Sequence, residues 1–166
     1  MSEKEKVIYV GSKVIFPEPM TRKEYNDFRN WEVPEDENPD DEGYLVEDCD
    51  GGESNVANRE GYVSWSPKGV FDNSYQNART GMSFSHALLL LKKGYSLARK
   101  GWNGKGMFIF KMNGSNGMAR IAGYGFGEYL NEPTFRDCII MRTANNELVP
   151  WTIAQSDALA EDWVIV

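Results

Sequence analysis

The apolar segments of this chain are short, and glycine, proline or charged residues separate them throughout its 166 residues. Segments of this length suit strands and short helices, and the sequence holds no apolar run of about 18 residues, the length that a membrane span requires. We therefore predict an α+β fold, in which short antiparallel strands are flanked by two short helices. The hydrophobic content of 41% is sufficient for a packed core.

Charge is distributed unevenly between the two halves of the chain. Residues 1–81 carry 9 Lys and Arg against 18 Asp and Glu, whereas residues 82–166 carry 9 against 7. We predict two domains with these bounds: an acidic N-terminal extension, forming a separate small α+β region, and a C-terminal domain. An acidic chain argues against general nucleic-acid binding, which needs a basic face, although a local cationic site in residues 82–166 can hold a small anion.

Capping signals and periodicity predict the individual elements. Two capping boxes are predicted, at Thr21 and Glu24 and at Thr152 and Gln155, and Ser83 is the predicted N-cap of the helix between them. The predicted helices therefore lie at 21–29, 83–93 and 152–160, with a helical turn at 66–71. The predicted strands lie at 7–10, 14–16, 43–46, 61–65, 95–99, 107–110, 138–141, 148–149 and 163–166, the predicted linker at 73–81, and a glycine-rich loop or insertion at 113–132.

The stretch at residues 98–107 has the composition of a binding loop. It combines three cationic side chains, one tryptophan and three glycines between a predicted strand end and the next strand. Arg99 and Lys105 can pair with phosphate, Trp102 offers a flat face on which a ring can stack, and the glycines permit a tight turn and a close approach. We interpret this stretch, with Asn103, as part of a pocket for an anionic small molecule that carries a ring.

A second aromatic and polar cluster follows residue 149. Trp151 stands beside a predicted helix N-terminus, whose free backbone N–H groups favour an anion. Gln155 and Asp157 carry groups that can hydrogen-bond a base edge or a ribose hydroxyl. The alternative is that both Trp102 and Trp151 are core residues and that the polar groups are caps. The candidate ligand-binding residues are Arg99, Trp102, Asn103, Lys105, Trp151, Gln155 and Asp157.

The sequence provides little for catalysis or metal binding. His86 is the single histidine, so a metal site that uses two is excluded, and its position in a first helical turn predicts a local structural role. The two cysteines, Cys49 and Cys138, are far apart and lack metal-binding spacing, which suggests a reduced cytoplasmic protein with free thiols. We predict neither a catalytic residue nor a metal or cofactor.

The two clusters, in this order, resemble a phage and prophage family that includes the Thoeris anti-defence proteins of the second type. The resemblance covers residues 82–166. It rests on several separated motifs, at 82–84 with 87–88, 98–107, 140–144, 149–151, 155–157 and 160–163. His86 departs from the family pattern, in which an acidic residue is common, and residues 1–81 resemble N-terminal extensions of some phage members.

This resemblance implies a non-enzymatic protein that acts in the cytoplasm of the infected bacterial host. Such proteins bind a cyclic ADP-ribose-type signal, and some bind cyclic dinucleotides, without cleaving them, and they assemble as homo-oligomers, commonly tetramers. Two other functions stay open. One is a phage structural or protein-interaction module with Trp102 and Trp151 in its core. The other is an enzyme with Asp157 or Glu161 as general base and His86 as acid.

Overall fold

The protein is described from a computed structural model, which covers residues 8–115, Gly123 and residues 133–166. The chain divides into two compact units, of which the first ends at Tyr75 and the second begins at Gln76. The predicted boundary at residue 81 thus lies within the second unit. No helix among the described residues is long and apolar enough to cross a membrane.

The first unit is a three-stranded antiparallel sheet with two helices. Its sheet has the order β1-β2-β3. Its elements in chain order are β1 (Phe16–Pro19), α1 (Arg22–Arg29), β2 (Gly43–Asp48), β3 (Tyr62–Pro67) and α2 (Lys68–Ser74). The core is formed by Tyr25 of α1 with Leu45 and Val63 of the sheet, all buried, and Trp65 packs against them.

Helix α1 confirms the predicted capping box. The backbone N–H of Glu24 donates to Thr21 Oγ1 at 3.2 Å, and the backbone N–H of Thr21 donates to Glu24 Oε2 at 2.7 Å. The helix ends at Asn30, whose φ of 55° places it in the left-handed region that closes many helices. Local sequence therefore determines both ends of this helix.

Both outer edges of this sheet are partly blocked. The N–H of Met20 points to β2, because it donates to the Gly43 carbonyl at 3.0 Å, so the alternate positions Pro17 and Pro19 face outward and offer no N–H donor. On the other edge the Asn55 amide donates to the Val63 carbonyl and accepts from its N–H, both at 2.8 Å. An added strand thus finds no N–H donor at Pro17 and Pro19 on β1, and finds Val63 near the start of β3 already occupied.

The second unit is built on a five-stranded sheet in which every neighbouring pair is antiparallel, in the order β7-β6-β5-β4-β8. Its elements are α3 (Phe84–Lys92), β4 (Leu97–Arg99), β5 (Phe108–Met112), β6 (Cys138–Arg142), β7 (Leu148–Pro150), α4 (Gln155–Ala158) and β8 (Trp163–Ile165). Helix α3 buries Ala87, Leu90 and Leu91, and the sheet buries Leu97, Ile109 and Trp163. Both units mix helices with antiparallel sheets, so the predicted α+β class is confirmed.

Helix α3 begins and ends as the sequence predicts. Ser83 is its N-cap residue, although its hydroxyl makes no capping bond and instead lies 2.9 Å from His86 Nδ1. At the other end Gly94 has a φ of +96°, and Gly94 and Tyr95 donate to the carbonyls of Leu91 and Leu90. This pair of bonds is a Schellman motif, which needs the left-handed backbone that glycine allows.

Three predictions of local structure are wrong. Residues 8–10, expected in a strand, are irregular and exposed. The next strand begins at Phe16, because the proline-containing segment 16–19 is the one that pairs with β2. The capping box at Thr152 does not form: the N-cap is Ala154, and α4 ends at Ala158 rather than Ala160. Most of the predicted glycine-rich segment 113–132 lies outside the described residues.

Candidate functional site

The predicted binding stretch forms the connection between β4 and β5, which we call the Gly-Trp loop (residues 100–107). Strand β4 fixes its start, because Arg99 pairs with Trp163 of β8. The backbone N–H of Trp102 donates to the Arg99 carbonyl at 3.3 Å, which tightens the first turn. Near its end Gly106 has a φ of +71°, a conformation that side chains rarely adopt. The loop therefore connects β4 to β5, two neighbouring strands inside the sheet.

Arg99 forms ion pairs with two carboxylates of its own chain. Its Nε donates to Asp162 Oδ1 at 2.8 Å, and its Nη1 donates to Asp157 Oδ1 at 2.7 Å and to the Ser156 carbonyl at 3.3 Å. These carboxylates raise the pKa of Arg99 above its usual value. The predicted anion-binding side chain thus already has anionic partners. The contacts described use three of its five N–H donors, and the two on Nη2 are left.

Asp162 organises the start of the Gly-Trp loop. Its Oδ2 accepts from the backbone N–H of Gly101 at 2.7 Å, and its carbonyl accepts from the N–H of Lys100 at 3.2 Å. The hydrogen bond from Arg99 lowers the pKa of Asp162 below its usual value. Sequence reasoning included Asp162 in a family motif but gave it no role, since its partners are more than 60 residues away.

Trp102 and Trp151 both pack edge-on against a third tryptophan. Trp163 is completely buried, and its ring centre is 5.3 Å from that of Trp102 and 6.1 Å from that of Trp151, at interplanar angles of 78° and 83°. Phe84 packs against both Trp151 and Trp163. The two outer rings are only half-buried, so each combines a packing contact with some exposed surface.

Asp157 connects the ion pairs to the aromatic cluster. The same Oδ1 that binds Arg99 accepts from the indole N–H of Trp102 at 3.1 Å, and the Asp157 carbonyl accepts from the indole N–H of Trp163 at 2.9 Å. Its side chain is 13% exposed. The structure therefore brings together three predicted site residues, Arg99, Trp102 and Asp157, in one hydrogen-bonded group, and joins Trp151 to them through Trp163.

The remaining predicted residues, Asn103, Lys105 and Gln155, have exposed side chains that make no polar contact within the described part of the chain. Gln155 is the first residue of α4, next to the ion pairs. Lys105 lies near the hairpin of β6 and β7: a Cβ on the preceding Gly104 would lie 3.1 Å from the Ala144 methyl, and the carbonyl of the following Gly106 accepts from Arg142 Nη1. The loop thus carries a cation at its tip.

Two further features of the described residues concern metal and ligand binding. No group of three or more His, Cys, Asp and Glu side chains suited to a metal ion is present there. A cavity of about 320 Å³ lies in the first unit, between α1, β2 and the start of α2. Two of its lining carboxylates are engaged, Glu24 with Thr21 and Glu42 with Lys68.

The second unit is similar in sequence to proteins of phage anti-defence. Residues 82–166 match the family model of the Thoeris anti-defense 2-like domain. A protein of Bacillus phage SP01, described as Thoeris anti-defense 2, is 50% identical over 88 residues, which are 53% of this chain and 98% of that protein. The match includes the Gly-Trp loop, α4 and β8, so the whole candidate site lies inside the matched region.

Proposed function

The chain belongs to the Thoeris anti-defense 2-like family, and on that premise we propose that it binds and sequesters a cyclic ADP-ribose-type signal without cleaving it. The family gives the chain a role in phage anti-defence, exerted in the bacterial host. The ligand, the sequestering mode and a site of action in the host cytoplasm are the proposed parts. A cyclic dinucleotide is a second ligand that the same chemistry would accept.

The observation that carries this proposal is the hydrogen-bonded group around Asp157. It holds the half-buried ring of Trp102 beside a turn that carries cations and carboxylates, and Trp163 connects this ring to Trp151. A cyclic ADP-ribose-type molecule has a purine, ribose hydroxyls and a pyrophosphate. Indole faces suit the purine, carboxylate and amide oxygens suit the hydroxyls, and cations suit the phosphates.

Six of the seven predicted residues contact the ligand in this proposal, and the seventh, Asp157, binds Arg99 and Trp102. Trp102 and Trp151 stack on rings, and Lys105 meets phosphate from the loop tip. Asn103 and Gln155, which are exposed, hydrogen-bond the base or ribose. Arg99 contributes through Nη2, since its other donors face Asp157 and Asp162, so it binds the anion less directly than a free guanidinium would.

The proposal includes self-association through the second unit, as a homo-oligomer and in the family pattern a tetramer. Large apolar side chains are exposed around the site: Leu159, directly after α4, is 81% exposed, and Leu148 of β7 is 65% exposed. Burying such residues between copies removes apolar surface from water. A unit this small can enclose only part of the ligand, and a second copy would cover the part that is left exposed.

The test is to incubate the full chain with cyclic ADP-ribose, its ribose-linked isomers or cyclic dinucleotides. Bound material is then released by heat and analysed by chromatography. A sequestering protein depletes one of these compounds from solution and returns it intact. Recovery of a cleaved product would indicate an enzyme, and absence of depletion for every compound would indicate a structural or interaction module. Either of these two results contradicts the proposal.

A quantitative form of the test uses calorimetry. To compete with a receptor for its signal, the protein needs a Kd of about 1 nM or below, which corresponds to roughly −12 kcal/mol. Micromolar binding to every compound would reject sequestration, even if the ligand were returned intact.

A further inference from the structure

The Gly-Trp loop is held at both ends by side chains outside the predicted ligand-binding set. At its start Asp162 makes three contacts. Oδ1 accepts from Arg99 Nε at 2.8 Å, Oδ2 accepts from the Gly101 N–H at 2.7 Å, and the Asp162 carbonyl accepts from the Lys100 N–H at 3.2 Å. The two carboxylate oxygens therefore bind different residues, Oδ1 the Arg99 side chain and Oδ2 the Gly101 backbone.

Arg142 of β6 holds the end of the loop, as Asp162 holds its start. Its Nη1 donates to the Gly106 carbonyl at 2.6 Å, and its Nε donates to Asn146 Oδ1 at 3.0 Å. Its guanidinium also lies 5.8 Å from the ring centre of Phe108. Because Asn146 and Phe108 fix the guanidinium from two directions, the hydrogen bond to Gly106 holds the loop against the β6–β7 hairpin.

We propose that Asp162 and Arg142 are positioning residues that hold the Gly-Trp loop in its ligand-binding conformation before the ligand arrives. The inference rests on the proposed function, because it concerns the same site, but neither side chain touches the ligand. A glycine-rich loop has many conformations, and ordering it on binding would weaken affinity. With both ends fixed and the Trp102 indole N–H bound to Asp157, much of that ordering precedes binding.

Two substitutions in the full chain test this role. Asp162→Asn keeps the shape but has one acceptor oxygen, so it can serve Arg99 or Gly101 but not both. Arg142→Lys keeps the charge but loses the planar fork that reaches Gly106 and Asn146 together. The matched control is Asp137→Asn, since Asp137 also pairs with a cation, Lys111 at 2.7 Å, and also accepts a backbone N–H, at 2.9 Å.

Amide hydrogen exchange and calorimetry with a cyclic ADP-ribose isomer are the readouts. In Asp162→Asn and Arg142→Lys we expect amides of residues 100–107 to exchange about tenfold faster than in the parent, while β4, β5 and β8 keep their protection. We expect the isomer to bind about five- to tenfold more weakly. Asp137→Asn should match the parent in both measurements.

Unchanged amide exchange in the loop or unchanged affinity would overturn the positioning role. Faster exchange in β4, β5 and β8 as well as in the loop would also overturn it, because this would indicate general destabilisation. If Asp162→Asn fails to fold, Gly101→Ala disturbs the same contact, because its Cβ would lie 2.9 Å from Asp162 Oδ2. Unchanged loop exchange in that variant would also overturn the role. A parent chain that binds none of the compounds refutes the proposed function instead, and the exchange data distinguish the two failures.

Discussion

Replacing Trp102 with alanine separates a binding role from a packing role. The substitution removes the ring that packs edge-on against Trp163, with 5.3 Å between the ring centres. It also removes the indole N–H that donates to Asp157 Oδ1 at 3.1 Å. Loss of a stacking face costs about 1–3 kcal/mol, so affinity for a cyclic ADP-ribose isomer should fall roughly 5- to 150-fold. Because the ring is only partly buried, we expect a stability loss of about 2–4 kcal/mol, somewhat below the roughly 3–5 kcal/mol of a fully buried tryptophan.

At about 4–8 °C per kcal/mol for a unit of this size, that stability loss corresponds to a decrease in Tm of roughly 8–32 °C. Calorimetry at a temperature where the variant is folded measures affinity, and differential scanning calorimetry measures Tm. Trp102→Phe retains an aromatic face without the N–H, so its affinity should lie between those of the parent and the alanine variant.

The matched control is Trp65→Ala in the first unit. Trp65 is also half-buried and also donates its indole N–H to one acceptor, the Met20 carbonyl at 2.9 Å. It should lower stability without changing affinity. If Trp102→Ala melts early but binds as the parent does, the ring is structural and the proposed site is incorrect.

Three further predictions follow from the same geometry. Lys105→Ala should weaken binding more at low salt than at high salt, because salt at about 0.15 M screens charges more than roughly 8 Å apart. The control, Lys68→Ala in the first unit, should leave binding unchanged. Light scattering should give a homo-oligomer that Leu159→Asp dissociates, and a parent monomer with tight binding would contradict this. Arg99 lowers the pKa of Asp162, so this group stabilises the fold above the ordinary Asp pKa of about 3.9, and the stabilisation is lost as pH falls through the lower folded value. A plot of Tm against pH should therefore be flatter below about pH 4 for Asp162→Asn than for the parent, and equal slopes would refute this.

The elements that the sequence predicted correctly are those whose signals are local. The capping box at Thr21 and the end of α3 at Gly94 depend on residues within a few positions of each other. The second capping box, at Thr152, has an equally good local pattern but fails. Asp157 there binds Arg99 and Trp102, more than 50 residues away, and α4 begins only at Gln155. Contacts distant in sequence thus outweigh a weak capping preference.

The sequence indicated which residue types form the candidate site, but not the contacts between them. Residue types alone pointed to Trp102 and Arg99 as ligand contacts, and the structure gives Arg99 two carboxylate partners of its own chain. Asp162 was missed because its importance comes from the pairing of β4 with β8, which brings it to Gly101 across 61 residues. No spacing rule in a single sequence encodes a contact of that kind.

The partly blocked edges of the N-terminal sheet have a consequence for the concentration that the proposed sequestering function would require. A protein that neutralises a signal by holding it does so stoichiometrically, one signal molecule per occupied site, and therefore has to accumulate to at least the level of that signal. At such abundance an open strand edge would pair with the next copy. Pro17 and Pro19 on one edge, and the Asn55 side chain on the other, limit such pairing. The extension therefore roughly doubles the length of the chain, while its described sheet edges offer a second copy few positions for strand pairing.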